Sequence, residues 1–349
     1  FIIIDTMIKL CLMGLGNFCR VLDRKIGQIK GLEISHYYHP DIKKAKNFNA
    51  KRGTSDLKNA LSGVDGVIIA TPNNIHFKNI KKCIDAGKHI FVEKPVTGLY
   101  KDALKLKQIL PENLIFMVGH NQRRESYFRE AKKILDKNKL GKIISVYFNV
   151  SHGGAFSFTP DQWRYNVKSH REGPLMTLGI HLMDTVNYLF GGANSVYARI
   201  NNISGKTKAP DCNAVVLGLS AKGGSASGGK NGASVFIQAN YNMPSEEICV
   251  IYGTEGVMYI NRGKLSLRMG RDKRINNSFV SSKPVFVKLK KIDSIKEELE
   301  EFRDAIIGRK EIETGLKEGM NALALVDACY ESNKNNKVVF MKDFKNYRI

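Results

Sequence analysis

The sequence predicts a two-part α/β protein. A doubly wound parallel sheet comes first, and an α+β domain built on a mostly antiparallel open sheet follows. Three observations carry that prediction. Between residues 8 and 122, short unbroken apolar runs alternate with helical patterns. From residue 143 onward, strand-like stretches succeed one another with few helices between them. A glycine turn joins the first run to the first helix.

The elements follow in order. Apolar runs at 8–13, 32–38, 67–70, 89–92 and 114–118 lack polar alternation, the mark of strands buried on both faces of a parallel sheet. Segments 17–28, 42–48, 75–86 and 100–109 carry apolar residues at helical spacing between them. Helix 125–137 leads into the second part, where strands are expected at 143–151, 195–203, 214–220, 234–241, 247–252 and 257–261. Pro174 just inside a helix start and Gly191-Gly192 beyond its end bracket one helix there. Residues 223–232 (GGSASGGKNG) read as a flexible loop, and helices 296–307 and 314–333 close the chain. The expected domains are 7–123 and 124–349, with the closing helices able to pack back on the first. Met7 stands directly before the first strand, so residues 1–6 are expected to be an upstream extension.

Composition bounds the function. The 349 residues include 55 Lys and Arg against 33 Asp and Glu, a net charge of +22. That excess is spread evenly and lysine-rich, with no basic block of five and one tryptophan, which argues against a nucleic-acid groove. A lysine-rich solvated surface is the plain reading of that charge, and attraction for an anionic cofactor or substrate is the alternative. No apolar run approaches the roughly 18–20 residues of a membrane span. The six cysteines show neither CxxC nor zinc spacing, so no metal is expected, and reduced thiols point to the cytoplasm.

The first strand ends in Gly14-Leu15-Gly16-Asn17-Phe18-Cys19. Two glycines permit a tight turn and the approach of a pyrophosphate to bare backbone, with the helix N-terminus aimed at its charge. This is the dinucleotide-binding pattern of a Rossmann domain, with Cys19 at the third position, small enough for helix–strand packing but not the usual glycine or alanine. After the second strand, His39 stands where an acidic residue would grip the ribose 2′-hydroxyl of NAD. Asp41 could serve that role, while His39 with Lys43 and Lys44 would tolerate the 2′-phosphate of NADP; NAD is slightly favoured. In such sheets ligands gather beyond the strands' carboxyl ends. Thr71-Pro72-Asn73, with His76 just beyond, and Glu93-Lys94-Pro95 occupy two more of those ends.

A second constellation lies on the bracketed helix. Thr177, His181, Asp184 and Tyr188 recur at i, i+4, i+7 and i+11, on another face from the apolar stripe of Leu175, Leu178, Leu182, Val186 and Leu189. A solvated polar face with an incidental histidine is the plain alternative for that helix, and a salt-bridged loop lysine the plain alternative for Lys94.

Taken together, the GLGNFC turn, IATPNNIH, AGKHIFVEKP, GHNQRR at 119–124, QWR at 162–164, LGIHLMD at 178–184 and IYGTEGVMYI at 251–260 resemble the Gfo/Idh/MocA family. The resemblance runs over nearly the whole chain, and EKP with the downstream GxH–xx–D helix is its most specific part. It implies an NAD(P)-dependent oxidoreductase acting on a sugar, nucleotide sugar or cyclitol. It implies catalytic roles for Lys94 and His181 and a substrate contact for Asp184. Cofactor contacts are expected from Gly14 through Phe18, His39 or Asp41, Thr71, Pro72, Asn73, His76, Glu93 and Lys94. Substrate contacts are expected from Arg123, Trp163, Arg164, Thr177 and Asp184, and a homodimer or homotetramer through the second-domain sheet. One departure stands out. The family often carries aspartate four residues before the histidine, and here that residue is Thr177. Two other readings use the same motifs: a sensor that binds the dinucleotide without turnover, or a same-fold glycosidase or carbonyl reductase.

Overall fold

The computed structural model describes residues 7–160, 162, 173–219, 232–270, 272–275 and 278–344. The chain divides into two compact units: one runs through Asn121 and takes back Asp293–Met320, and the other holds Gln122–Ile292 and the chain from Asn321.

The first unit is built from β1 (Ile8–Met13), α1 (Asn17–Ile26), β2 (Leu32–Tyr38), α2 (Ile42–Phe48), β3 (Gly53–Thr54), α3 (Leu57–Leu61), β4 (Gly66–Ile69), α4 (His76–Asp85), β5 (His89–Glu93), α5 (Tyr100–Ile109) and β6 (Phe116–Gly119). Its six strands pair in parallel in the order β3-β2-β1-β4-β5-β6. The order reverses at β1, which leaves a crevice beyond the carboxyl ends of β1 and β4. Double-sided burial explains the unbroken apolar runs: Leu10, Leu12, Val67, Ile68, Ile90 and Phe91 are all fully buried. On one face, Leu299 and Phe302 join the cluster of Leu22, Ile26, Phe91 and Met117, which is why 293–320 belongs to this unit.

The second unit holds α6 (Ser126–Asp136), β7 (Ile143–Ser151), α7 (Ile180–Phe190), β8 (Ala193–Asn201), β9 (Cys212–Leu219), β10 (Ser234–Asn240), β11 (Glu246–Gly253), β12 (Gly256–Asn261), β13 (Lys264–Met269), β14 (Lys273–Ile275), β15 (Ser278–Val280) and β16 (Val285–Phe286). The closing elements are α8 (Ser294–Ile306), in the first unit, α9 (Leu316–Asn335), which starts in the first unit and ends in the second, and β17 (Val339–Phe340). The sheet order is β16-β13-β12-β11-β7-β10-β9-β8-β17, antiparallel throughout except for β10 beside β7. Register aligns Val196, Leu217, Val235, Val146, Ile251 and Met258 in one fully buried row across six strands. At about 1.5–3 kcal/mol per buried aliphatic side chain, that row outweighs any single surface contact in fixing the register.

The structure adds short elements that the hydrophobic runs did not reveal. β3 and β17 have two residues each and bury too little to show a pattern. β13 alternates Leu265 and Leu267 with polar residues after a turn in which Arg262 and Gly263 both have positive φ. No helix of the described residues is long and apolar enough to cross a membrane.

Candidate active site

In the first unit, the candidate residues stand at the carboxyl edge of the parallel sheet. Gly14 has φ +93°, and a Cβ on it would come within 2.7 Å of the Ala70 carbonyl oxygen, so only glycine lets β1 and β4 finish side by side. Gly16, the N-cap of α1, is different: nothing lies within 4 Å of where its Cβ would be, and no side chain caps the helix. The helix N-terminus and the open space over Gly16 together suit a pyrophosphate. Leu15 is half-buried, and Asn17 and Phe18 are exposed around this turn. Cys19 fills the third small position; its thiol donates to the Gly14 carbonyl, and burial pushes its pKa up to about 12.

At the end of β2, the His39 Nδ1 accepts the Asp41 backbone N–H at 2.9 Å, and an Asp41 carboxylate oxygen accepts the Lys43 N–H at 2.9 Å. Asp41 is thus the N-cap of α2, with one oxygen committed to the helix. Thr71 and Asn73 are half-buried after β4, with Pro72 exposed between them. His76 departs from its expected cofactor contact. Its ring is fully buried and both ring nitrogens meet backbone carbonyls, so the fold itself occupies it.

Glu93 ends β5 and Lys94 follows it. Glu93 pairs in register with Gly119, whose missing side chain leaves room for the carboxyl: a Cβ there would lie 3.0 Å from Glu93 Oε1. Burial pushes the Glu93 pKa up to about 7, opposed by the Lys94 charge and by a bond from the Lys94 backbone N–H. Lys94 itself is half-buried. Because the folded value lies above the ordinary 4.5, the folded state holds the Glu93 proton more tightly. Stability from this group is full below about pH 4.5 and is lost as pH rises through about 7. Glu93→Gln is expected to remove that loss, so its melting temperature relative to wild type should rise across this window. Parallel pH curves for the two proteins would contradict the assignment.

In the second unit, a π turn at Leu175–Gly179 precedes α7. Thr177 lies in that turn; its hydroxyl donates to the Gly173 carbonyl at 3.0 Å and bonds the Tyr241 hydroxyl. With the threonine proton spent on Gly173, the Tyr241 phenol is the donor of the second bond. Tyr241 is buried and packs against His152 and Phe158, with ring centroids 4.7 and 5.2 Å away. His181 lies in the first turn of α7 and is half-buried, and the Thr185 hydroxyl donates to its carbonyl at 2.9 Å. Gly191 ends the helix in the left-handed region at φ 81°, as its place past the apolar stripe predicts.

Arg123 and Asp184, both expected at the substrate, hold each other. Arg123 Nε and Nη2 donate to the two Asp184 oxygens at 2.9 and 2.6 Å, and both side chains are buried. The Arg123 guanidinium also lies 5.2 Å from the centre of the Tyr188 ring. Removing one partner of such a pair costs about 3–5 kcal/mol, so its plain work is to fix α7 against the Asn121–Arg124 turn. Trp163 and Arg164 lie outside the described residues. Tyr241 and His152 carried no motif in the sequence. Among the described residues, no group of three or more His, Cys, Asp or Glu could hold a metal ion.

Residues 8–120 match the model of an oxidoreductase family with an NAD-binding Rossmann fold, and residues 128–259 match a GFO/IDH/MocA C-terminal domain. The chain belongs to the Gfo/Idh/MocA family. Among relatives of this Gfo/Idh/MocA protein, glucose-6-phosphate 3-dehydrogenase of Bacillus subtilis is 29% identical over 203 residues, 56% of this chain and 58% of that protein. Levoglucosan dehydrogenase of Pseudarthrobacter phenanthrenivorans is 26% identical over 259 residues, 67% of this chain and 66% of that protein. The chain spans about half the length of the first curated relatives it matches. Two solved structures share the fold. A levoglucosan dehydrogenase with NADH aligns with a TM-score of 0.83 at 19% identity, covering 96% of this chain and 99% of that one. The WlbA dehydrogenase of Bordetella pertussis with NADH and UDP-GlcNAcA aligns with a TM-score of 0.78 at 21% identity, covering 96% and 98%.

Proposed function

We propose that this Gfo/Idh/MocA protein is an NAD(P)-dependent oxidoreductase that moves a hydride between nicotinamide and a carbinol carbon of a sugar, nucleotide sugar or cyclitol. The observation that carries the reading is the uncapped α1 N-terminus under Gly16, on the same sheet edge as Lys94. The nicotinamide supplies the hydride acceptor when bound. His181 takes the hydroxyl proton, since imidazole takes up and returns protons near neutral pH. Lys94 donates a hydrogen bond to the same oxygen and stabilises its developing negative charge. Gly14 to Phe18 cradle the pyrophosphate, and Thr71 and Asn73 wall the ribose; Trp163 and Arg164 are further candidates for substrate contact. Asp41 keeps one carboxylate oxygen for a ribose 2′-hydroxyl, which favours NAD slightly over NADP.

The test is a thermal-shift titration with NAD and NADP, then with each cofactor plus a panel of polyols, sugar phosphates and nucleotide sugars. A true ligand raises the melting temperature with the logarithm of its concentration. No shift with either cofactor would overturn the reading.

Thr177 sets a second expectation. A carboxylate in place of the threonine would accept from Tyr241 and favour the His181 imidazolium, so more alkali would be needed to free the base. Thr177→Asp is therefore expected to move the rising limb of kcat/KM to higher pH. A folded variant with an unmoved profile would sever residue 177 from the base and favour Lys94 as the proton acceptor.

Two further parts of the proposal concern setting. The outer row Tyr197, Val216, Phe236 and Tyr147 places partly exposed apolar side chains side by side on the open sheet, which supports a homodimer or homotetramer through that face. The six cysteines are all free thiols, which supports a cytoplasmic setting.

A further inference from the structure

His76 opens α4, and its fully buried ring spans two loops of the first unit. Nδ1 lies 2.8 Å from the Pro95 carbonyl oxygen, and Nε2 lies 2.8 Å from the Thr71 carbonyl oxygen. A carbonyl oxygen can only accept. A neutral imidazole has one N–H and one bare nitrogen, so it can satisfy one of these contacts and would set lone pair against lone pair in the other. In a buried position, water is not at hand to relieve that mismatch. Both contacts are met only when both ring nitrogens carry protons. One turn further along α4, the Asn79 amide donates to the Thr71 hydroxyl at 3.2 Å, so the same helix face grips this loop twice.

We propose that His76 is a positioning residue, held as the imidazolium, which ties the loop after β4 to the loop after β5 and fixes the backbone on which Lys94 stands. The acceptor for Nδ1 belongs to Pro95, the residue after Lys94, and a proline carbonyl is that residue's only polar group. The charged side chains on the two tied segments are Glu93 and Lys94, with none between Thr71 and Asn74; α4 itself adds Lys78, Lys81, Lys82 and Asp85. The tie therefore joins the loop proposed to wall the ribose to the one carrying the proposed oxyanion donor. The kinetic consequence rests on the role proposed for Lys94; the charge state of His76 does not.

The decisive experiment is a nitrogen–proton correlation spectrum of the full chain labelled with 15N-histidine, without cofactor, at neutral pH. The eight histidines are sorted by comparison with His76→Asn, or by through-bond connection to the backbone if that variant does not fold. Protonation of both His76 ring nitrogens is expected. One protonated and one bare nitrogen would overturn the imidazolium tie. In kinetics, His76→Asn and His76→Gln keep at most one of the two donors in place. They are expected to lower kcat by about 10²-fold, the cost of a small displacement of a catalytic group, while the cofactor thermal shift stays near wild type. An unchanged kcat in a folded variant would overturn the positioning role. Should the protein prove not to transfer hydride, the spectrum still decides the charge state, so the two failures are separable.

Discussion

Lys94→Ala is expected to lower kcat by about 10²–10³-fold while changing cofactor affinity little, since loss of one well-placed oxyanion donor costs that much. The lysine directly follows a strand buried on both faces and is itself half-buried, so part of its side chain is withdrawn from solvent. A surface lysine would show no such loss. His181→Ala is expected to cost about 10²–10⁴-fold, the range for general acid–base catalysis. The proposed reaction assigns both residues to one oxygen and its proton, so the two losses should not multiply. Steady-state kinetics with each single variant and the double variant check this. Normal turnover in His181→Ala would remove the base assignment and leave Lys94 or water as the acceptor.

Gly16→Val is expected to abolish the thermal shift produced by NAD and NADP while the protein stays folded. The space where the valine Cβ would enter is open to 4 Å apart from the residues on either side, so the added branch points into open space. Gly16 has φ −84° and ψ −174°, a conformation any residue adopts, so no backbone strain arises either. What the side chain would fill is the approach to the α1 amides, the place of the pyrophosphate. Gly14→Val is the contrast: positive φ and a carbonyl at 2.7 Å predict lost stability as well as lost binding. A Gly16→Val protein that still responds to cofactor like wild type would show that the nucleotide turn is misplaced.

The difference between these two glycines shows how far the sequence can be read. Both belong to one motif, and the parallel sheet puts the end of every strand on one edge. Gly14, Thr71 and Glu93-Lys94 can therefore be brought together from chain order alone. The second unit offers no such rule. Its strands run antiparallel, so their ends fall on both edges, and Tyr241 meets Thr177 across 64 residues without a periodic signal. Arg123 and Asp184 could each be singled out as polar residues near the motifs. Their mutual bond is 61 residues apart in sequence and depends on packing that no local pattern encodes. His76 can be singled out as well, yet its two carbonyl partners become visible only when the loops after β4 and β5 are seen side by side.

The most direct measurement mixes the wild-type protein with NAD or NADP and a panel of sugars, sugar phosphates, nucleotide sugars and cyclitols. It follows the absorbance of reduced nicotinamide and analyses the organic product. At least one substrate should yield reduced cofactor and a carbonyl product in equal amounts, and Lys94→Ala should suppress both together. A substrate cleaved while the cofactor ends oxidised, or a cofactor that binds with no member of the panel consumed, would contradict hydride transfer as the function of this protein.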